Sequence, residues 1–98
     1  MKFDFKFNEE KRVAVFTLKQ IFKENKPILY VCHEVEDGAW QFLTGEPIEE
    51  KDIIIVALEE VIIHDPTVNE LYDLPMGYYA ERKFVGDKWL KSVKENNK

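Results

Sequence analysis

The chain has 98 residues, of which 45% are apolar and 13% aromatic, and its net charge is −5. That size fits one domain, residues 1–98, with its own core, and that composition excludes a disordered chain. The negative balance argues against nucleic-acid binding, which calls for a basic field, and the single cysteine, Cys32, excludes an internal disulfide or a cysteine metal cluster.

Met1 to Lys11 alternates apolar and charged residues and lacks the apolar stretch of a signal peptide. The longest apolar run, Ile53 to Leu58, is far shorter than the roughly 20 residues of a membrane helix. With one free thiol and no lipidation signal, the expectation is a cytoplasmic protein that does not span a membrane.

Phe3, Phe5 and Phe7 alternate with polar residues, which predicts a strand with one buried face. After a turn at Asn8–Lys11, Arg12 to Thr17 reads as its hairpin partner. Thr17 is placed to cap a short helix through Phe22 or Lys23, ended by Asn25-Lys26-Pro27. Ile28 to Glu34 and Trp40 to Thr44 form the clearest hairpin, turning at Glu36-Asp37-Gly38. Gly45-Glu46-Pro47 and the charged Glu49–Asp52 lead into Ile53–Leu58, whose unbroken apolar run suits a central strand covered on both faces.

Glu59 to His64 reads as a short helix, and Asp65-Pro66-Thr67 starts another that runs to Tyr72. Leu74-Pro75-Met76-Gly77 is a loop, and Tyr78 to Phe84 alternates as a strand. Asp87 is placed to cap a terminal helix with Trp89, Leu90 and Val93 on one face. The fold class expected is α+β: a mainly antiparallel sheet of five or six strands, two to four short helices, and the terminal helix packed on the sheet.

Chemistry-bearing clusters are sparse. Cys32 and His33 are neighbours on a strand, so their side chains point to opposite faces, one to the core and one to solvent, and cannot serve one site. His64 beside Asp65 has the makings of a general base, but Asp65 is better placed to cap the following helix. The only serine, Ser92, has no glycine elbow. Two distant histidines make no zinc motif, Glu49–Asp52 lacks calcium-loop spacing, and no glycine-rich phosphate loop exists. No cofactor, no metal and no catalytic residue is therefore assigned. Trp40 and Trp89 read as core anchors, on the hairpin and on the closing helix.

The charge distribution is the most informative feature. Glu34 to Asp73 holds twelve carboxylates against one base, Lys51, while the rest of the chain holds thirteen bases against seven acids. Such a run solubilises a surface, and it also suits docking of a basic protein. The candidate binding residues are Glu34, Glu36, Asp37, Glu46, Glu49, Glu50 and Asp52. They fall in two loops that can lie at opposite ends of one strand.

Several segments resemble a widespread family of small bacterial proteins. They are Ile28-Leu29-Tyr30-Val31, Asp37-Gly38-Ala39-Trp40-Gln41-Phe42-Leu43 with Gly45, Asp65-Pro66, Leu71, Asp73-Leu74-Pro75, Gly77, Ala80, Arg82 and Trp89. The resemblance covers about Val15 to Leu90. Members of the family are counted among the immunity proteins of polymorphic toxin systems, which implies neutralisation of a toxin by direct binding and carries over no catalytic residue. Ala39 stands where an acid is usual, which weakens any claim that the charge of that turn is essential. The leading expectation is a non-catalytic protein-binding domain of this immunity type, engaging a basic partner. The first alternative is a self-associating accessory domain, a homodimer pairing through the Phe3–Phe7 strand. The second is a small enzyme using His64 and Asp65.

Overall fold

Six strands form one sheet: β1 (Ala14–Leu18), β2 (Tyr30–His33), β3 (Trp40–Leu43), β4 (Ile53–Ala57), β5 (Tyr78–Glu81) and β6 (Leu90–Val93). Their order is β4-β1-β3-β2-β5-β6 in a computed structural model that describes residues 4–94. All neighbours are antiparallel except β1 and β3, which run parallel. Two helices, α1 (Lys19–Lys23) and α2 (Leu58–His64), and a 3-10 helix at Pro66–Leu71 complete an α+β architecture. A single 3-10 turn, Glu50–Asp52, precedes β4.

Alternation along the strands decides which face is covered. Val15 and Thr17 are buried while Ala14 and Phe16 are exposed, and Ala80 is buried beside an exposed Glu81. The covered face packs Val15, Val31, Trp40, Phe42 and Ala80 against Ile21 of α1, Leu58, Val61 and Ile62 of α2, and Val68 and Leu71 of the 3-10 helix. The opposite face holds Phe16, Gln41, Tyr30, Cys32, Tyr79, Ile53 and Ile55 by the same alternation. The predicted β2–β3 hairpin forms, with Trp40 paired to His33 and Leu43 to Tyr30. Its loop closes through Glu34 N–H to Ala39 C=O and through Gly38, whose φ of 71° requires the freedom of glycine.

Several expectations are corrected. The terminal helix does not form, because Leu90–Val93 is needed as a strand to satisfy the outer edge of β5. Asp87 holds the preceding loop instead, accepting from the N–H groups of Lys83 and Lys88. Residues 4–7 form no strand, and Phe3 lies outside the described residues. Both edges of β1 are already taken by β3 and β4, so no hairpin partner is free. The segment is tied instead to Asn69, which accepts from Lys6 N–H and donates to Asp4 C=O. Phe7 then enters the core with its ring edge toward Trp40.

Thr17 does not cap α1. The cap position is Leu18, and the Thr17 hydroxyl donates to Phe42 C=O, bracing β1 against β3. Ile53–Ala57 is an edge strand with one uncovered face, not a central one, and Ile53 and Ile55 are exposed there. The strand from Tyr78 ends at Glu81, three residues earlier than expected, and Phe84 is exposed. The predicted helix at Glu59–His64 forms as α2. Its first N–H groups are met by backbone carbonyls, Leu58 to Val13 and Glu59 to Lys11, so no side-chain cap is needed.

Candidate functional site

The residues of the family-like motifs form two structural clamps. In the first, Asp65 accepts from the N–H and hydroxyl of Thr67, capping the 3-10 helix that opens at Pro66. Its other oxygen takes Arg82 Nη2 at 2.9 Å. Arg82 also donates from Nε to Ile28 C=O and from Nη1 to Thr67 Oγ1, and its guanidinium lies 4.1 Å from the ring of Trp89. Trp89 is thus a core anchor, but it sits in the segment before β6 and not on a helix. Its indole N–H is buried with no partner among the described residues.

The second clamp is built on His33. Its Nδ1 donates to Leu74 C=O at 2.7 Å, and its ring stacks on Trp40 at 3.9 Å. The Trp40 indole donates to Glu9, whose carboxylate lies 3.9 Å from His33 Nε2. Gly77 N–H bonds His33 C=O, and Pro75 C=O accepts from Tyr78 N–H. Asp37 accepts from Ala39 N–H to shape the hairpin turn, and Asp73 pairs with Lys91 across the surface. Both Cys32 and His33 are buried, which corrects the expectation that one would face solvent. They do point to opposite faces, and Cys32 lies on the uncovered face between Gln41 and Tyr79 of the neighbouring strands.

His64 lines a groove with Asn25, Lys26 and Thr67 and packs on Phe22, 4.8 Å between rings. The Asp65 carboxylate is committed to Arg82 and Thr67, so the sequence neighbours His64 and Asp65 make no acid–base couple. Among the described residues no three His, Cys, Asp or Glu side chains converge as a metal-ligand set. No helix among them is long and apolar enough to cross a membrane.

The acidic residues divide into two groups at opposite ends of the β2–β3 hairpin, about 13 Å of strand apart. Glu34, Glu36 and Asp37 lie at its turn, where Glu34 is held by Lys94 at 3.0 Å and by Gln41. Glu46, Glu49, Glu50 and Asp52 lie beyond the far end. There, Glu46, Glu49 and Asp52 line a concavity of about 230 Å³ with Glu24, Gln20 and Lys26. Lys26, Lys51 and Lys19 approach Glu46, Glu49 and Asp52 at 3.5 to 3.6 Å. These lysine side chains are 41%, 75% and 41% exposed, so their pairings are weak and exchangeable. Glu24, at the end of α1, was not singled out from sequence. It joins this group because β1 and β3 run parallel and bring the start of α1 to the same end of the sheet as the β3–β4 connection.

On the uncovered face, burial pushes the Tyr30 phenol up to about 12, reinforced by the neighbouring Cys32. Burial likewise raises the Cys32 thiol, which keeps it protonated and unreactive at neutral pH. The hydrogen bond to Glu34 raises Lys94. All three groups hold their protons more tightly folded than unfolded, against ordinary values of 9.0 for Cys32, 10.0 for Tyr30 and 10.5 for Lys94. Their contribution is therefore complete below about pH 9 and is lost as pH rises through the folded values. The urea midpoint should fall steadily between about pH 9 and pH 12, and Tyr30→Phe should flatten that fall. A midpoint independent of pH in that window would contradict the assignment.

Comparison with family models, curated proteins and solved structures gave no match. The class is accordingly defined by the architecture itself: an α+β domain with one face of its sheet uncovered, two structural clamps and an acidic concavity at one end.

Proposed function

We propose that this chain is a non-catalytic protein-binding domain, of the immunity type its motifs resemble, and that it engages a basic partner in the cytoplasm through the acidic end of the sheet. The observation that supports this most is the convergence of Glu24, Glu46, Glu49 and Asp52 on one concavity, with Glu50 beside it. Among the described residues only exposed lysines pair with these carboxylates, and a cationic partner can displace them at little cost. Complementary charge of this kind raises the rate of encounter and makes binding sensitive to salt. Glu36 and Asp37, at the far end of the hairpin, lie outside this surface. Glu34 lies at that same turn, paired with Lys94, and is outside it too. The commitment of Asp65 to Arg82 weighs against the enzymatic alternative.

The test is a paired capture from lysate of the source organism at low salt, using wild type, Glu46→Lys/Glu49→Lys/Glu50→Lys and Glu36→Lys/Asp37→Lys. A basic protein retained by wild type and by the hairpin-turn variant, and lost by the triple variant, is the expected result. Capture that is equal on all three, or lost only with the hairpin-turn variant, would overturn the placement of the surface.

A further inference from the structure

We infer that β4 is a dimerisation edge, at which two copies of this chain pair antiparallel about a two-fold axis through Ile55. The register Ala14↔Ala57 to Leu18↔Ile53, continued by Leu58 N–H bonding Val13 C=O, fixes which backbone groups of β4 point to β1. Those of Ile54 and Val56 point inward to the ladder, and those of Ile53, Ile55 and Ala57 point outward. Two of the outward groups are already used. Ile53 N–H bonds Glu50 C=O, and Ala57, as the cap residue of α2, gives its C=O to the first helical turn.

Among the described residues, four outward groups remain without a partner: Ile53 C=O, Ile55 N–H, Ile55 C=O and Ala57 N–H. This set is self-complementary. Antiparallel pairing of Ile55 with Ile55 of a second copy makes two hydrogen bonds, and Ala57 N–H with Ile53 C=O of the second copy makes two more. The two groups that such a pairing would leave facing each other unbonded are the two already satisfied within the chain. A foreign strand would gain nothing from this symmetry, whereas a second copy uses all four groups.

The side chains agree. Edge strands of monomeric proteins are usually blunted by charge, proline or a bulge, and β4 (Ile-Ile-Ile-Val-Ala) has none of these. The opposite edge, β6, carries Lys91 within its four residues. Ile55 is 63% exposed and Phe16, its partner across the ladder, 38% exposed, both on the uncovered face. Pairing about Ile55 sets the two copies of this isoleucine side by side and joins the two apolar strips into one. The edge differs from the one expected from sequence, since residues 4–7 form no strand. The acidic concavity adjoins the start of this edge at Leu18 and Asp52, but the pairing uses backbone groups centred on Ile55 and the concavity uses carboxylate side chains, so the two assignments are tested by different substitutions.

Sedimentation equilibrium of wild type from micromolar to millimolar concentration, together with amide exchange by NMR, tests this. The expected result is a concentration-dependent dimer in which Ile55 and Ala57 amides gain protection as concentration rises, while Ile54 and Val56 are protected throughout. Ile55→Lys sets two like charges opposite each other and should weaken the dimer roughly tenfold or more. Because Ile55 is exposed, its circular dichroism should stay that of wild type, as should its urea midpoint at concentrations where wild type is monomeric, and Leu90→Lys on the other edge should leave the dimer intact. A protein that is monomeric across the range, or a dimer that survives Ile55→Lys unchanged, would overturn the inference.

Discussion

Arg82→Ala is expected to cost about 3–5 kcal/mol, because it strands a buried carboxylate. The Arg82 side chain is 0% exposed and that of Asp65 9%. Removing the guanidinium takes away the ion pair, the bond to Ile28 C=O, the bond to Thr67 Oγ1 and the surface on which Trp89 packs. A loss of that size is a large part of the roughly 5–15 kcal/mol that a domain of this kind has to spare. Arg82→Lys should rescue little, since one ammonium cannot reach three acceptors that a planar fork reaches at once. Asp65→Asn also strands a buried charge, the Arg82 guanidinium, but it keeps the bonds of Arg82 to Ile28 and Thr67 and an amide oxygen for the cap, so it should cost somewhat less than Arg82→Ala. Urea unfolding of the three variants checks the order. A loss below about 1 kcal/mol for Arg82→Ala would mean that water reaches the clamp and screens it as at a surface.

Trp40→Ala is expected to cost a comparable 3–5 kcal/mol, by a different cause. Trp40 is 2% exposed, with its ring stacked on His33 at 3.9 Å and on Phe42 at 5.9 Å, and with Phe7 edge-on at 5.0 Å. Alanine leaves a cavity where three aromatic neighbours meet, and the neighbours sit on β2, β3 and the opening segment, so none can move far to fill it. Trp40→Phe keeps most of the volume and loses the bond to Glu9, so it should lie well below Trp40→Ala. Glu9→Gln should cost only about 0.5–1.5 kcal/mol, the range of a single hydrogen bond. If Glu9→Gln matched Trp40→Ala, the electrostatics of the His33 pocket, and not its packing, would dominate.

The hairpin and the 3-10 helix after α2 were legible because their signals are local. Asp37-Gly38 sets a turn, and Asp65-Pro66 sets a helix start whatever surrounds them. The misplaced elements depended on partners far along the chain. Phe3–Phe7 has the alternation of a strand, but β1 offers it no edge once β3 and β4 are in place. Trp89, Leu90 and Val93 fit a helical face as well as a strand, and the open edge of β5 decides between them. The six apolar residues from Ile53 could not say whether the chain itself covers both sides of the strand. The structure leaves one side bare, and that exposure underlies the inferred dimer.

The candidate site was legible in part. The acidic run marked Glu46, Glu49, Glu50 and Asp52, but composition along the chain cannot tell which loops share an end of a sheet. Glu36 and Asp37 were grouped with these residues by charge alone, and the structure puts a whole strand between them, the alternative that two loops flanking one strand left open. Glu24 joins the concavity through the parallel pairing of β1 with β3, which no sequence signal announced. The motif residues Asp65, Arg82, Trp40 and Trp89 turn out to hold the fold.

The most direct test of the binding assignment is stopped-flow association of the domain with the captured basic partner, at low and high salt, for wild type and for Glu46→Lys/Glu49→Lys/Glu50→Lys. The account predicts an on-rate that falls roughly tenfold or more in the triple variant and in high salt, with the off-rate little changed. An on-rate indifferent to both salt and charge reversal would contradict it.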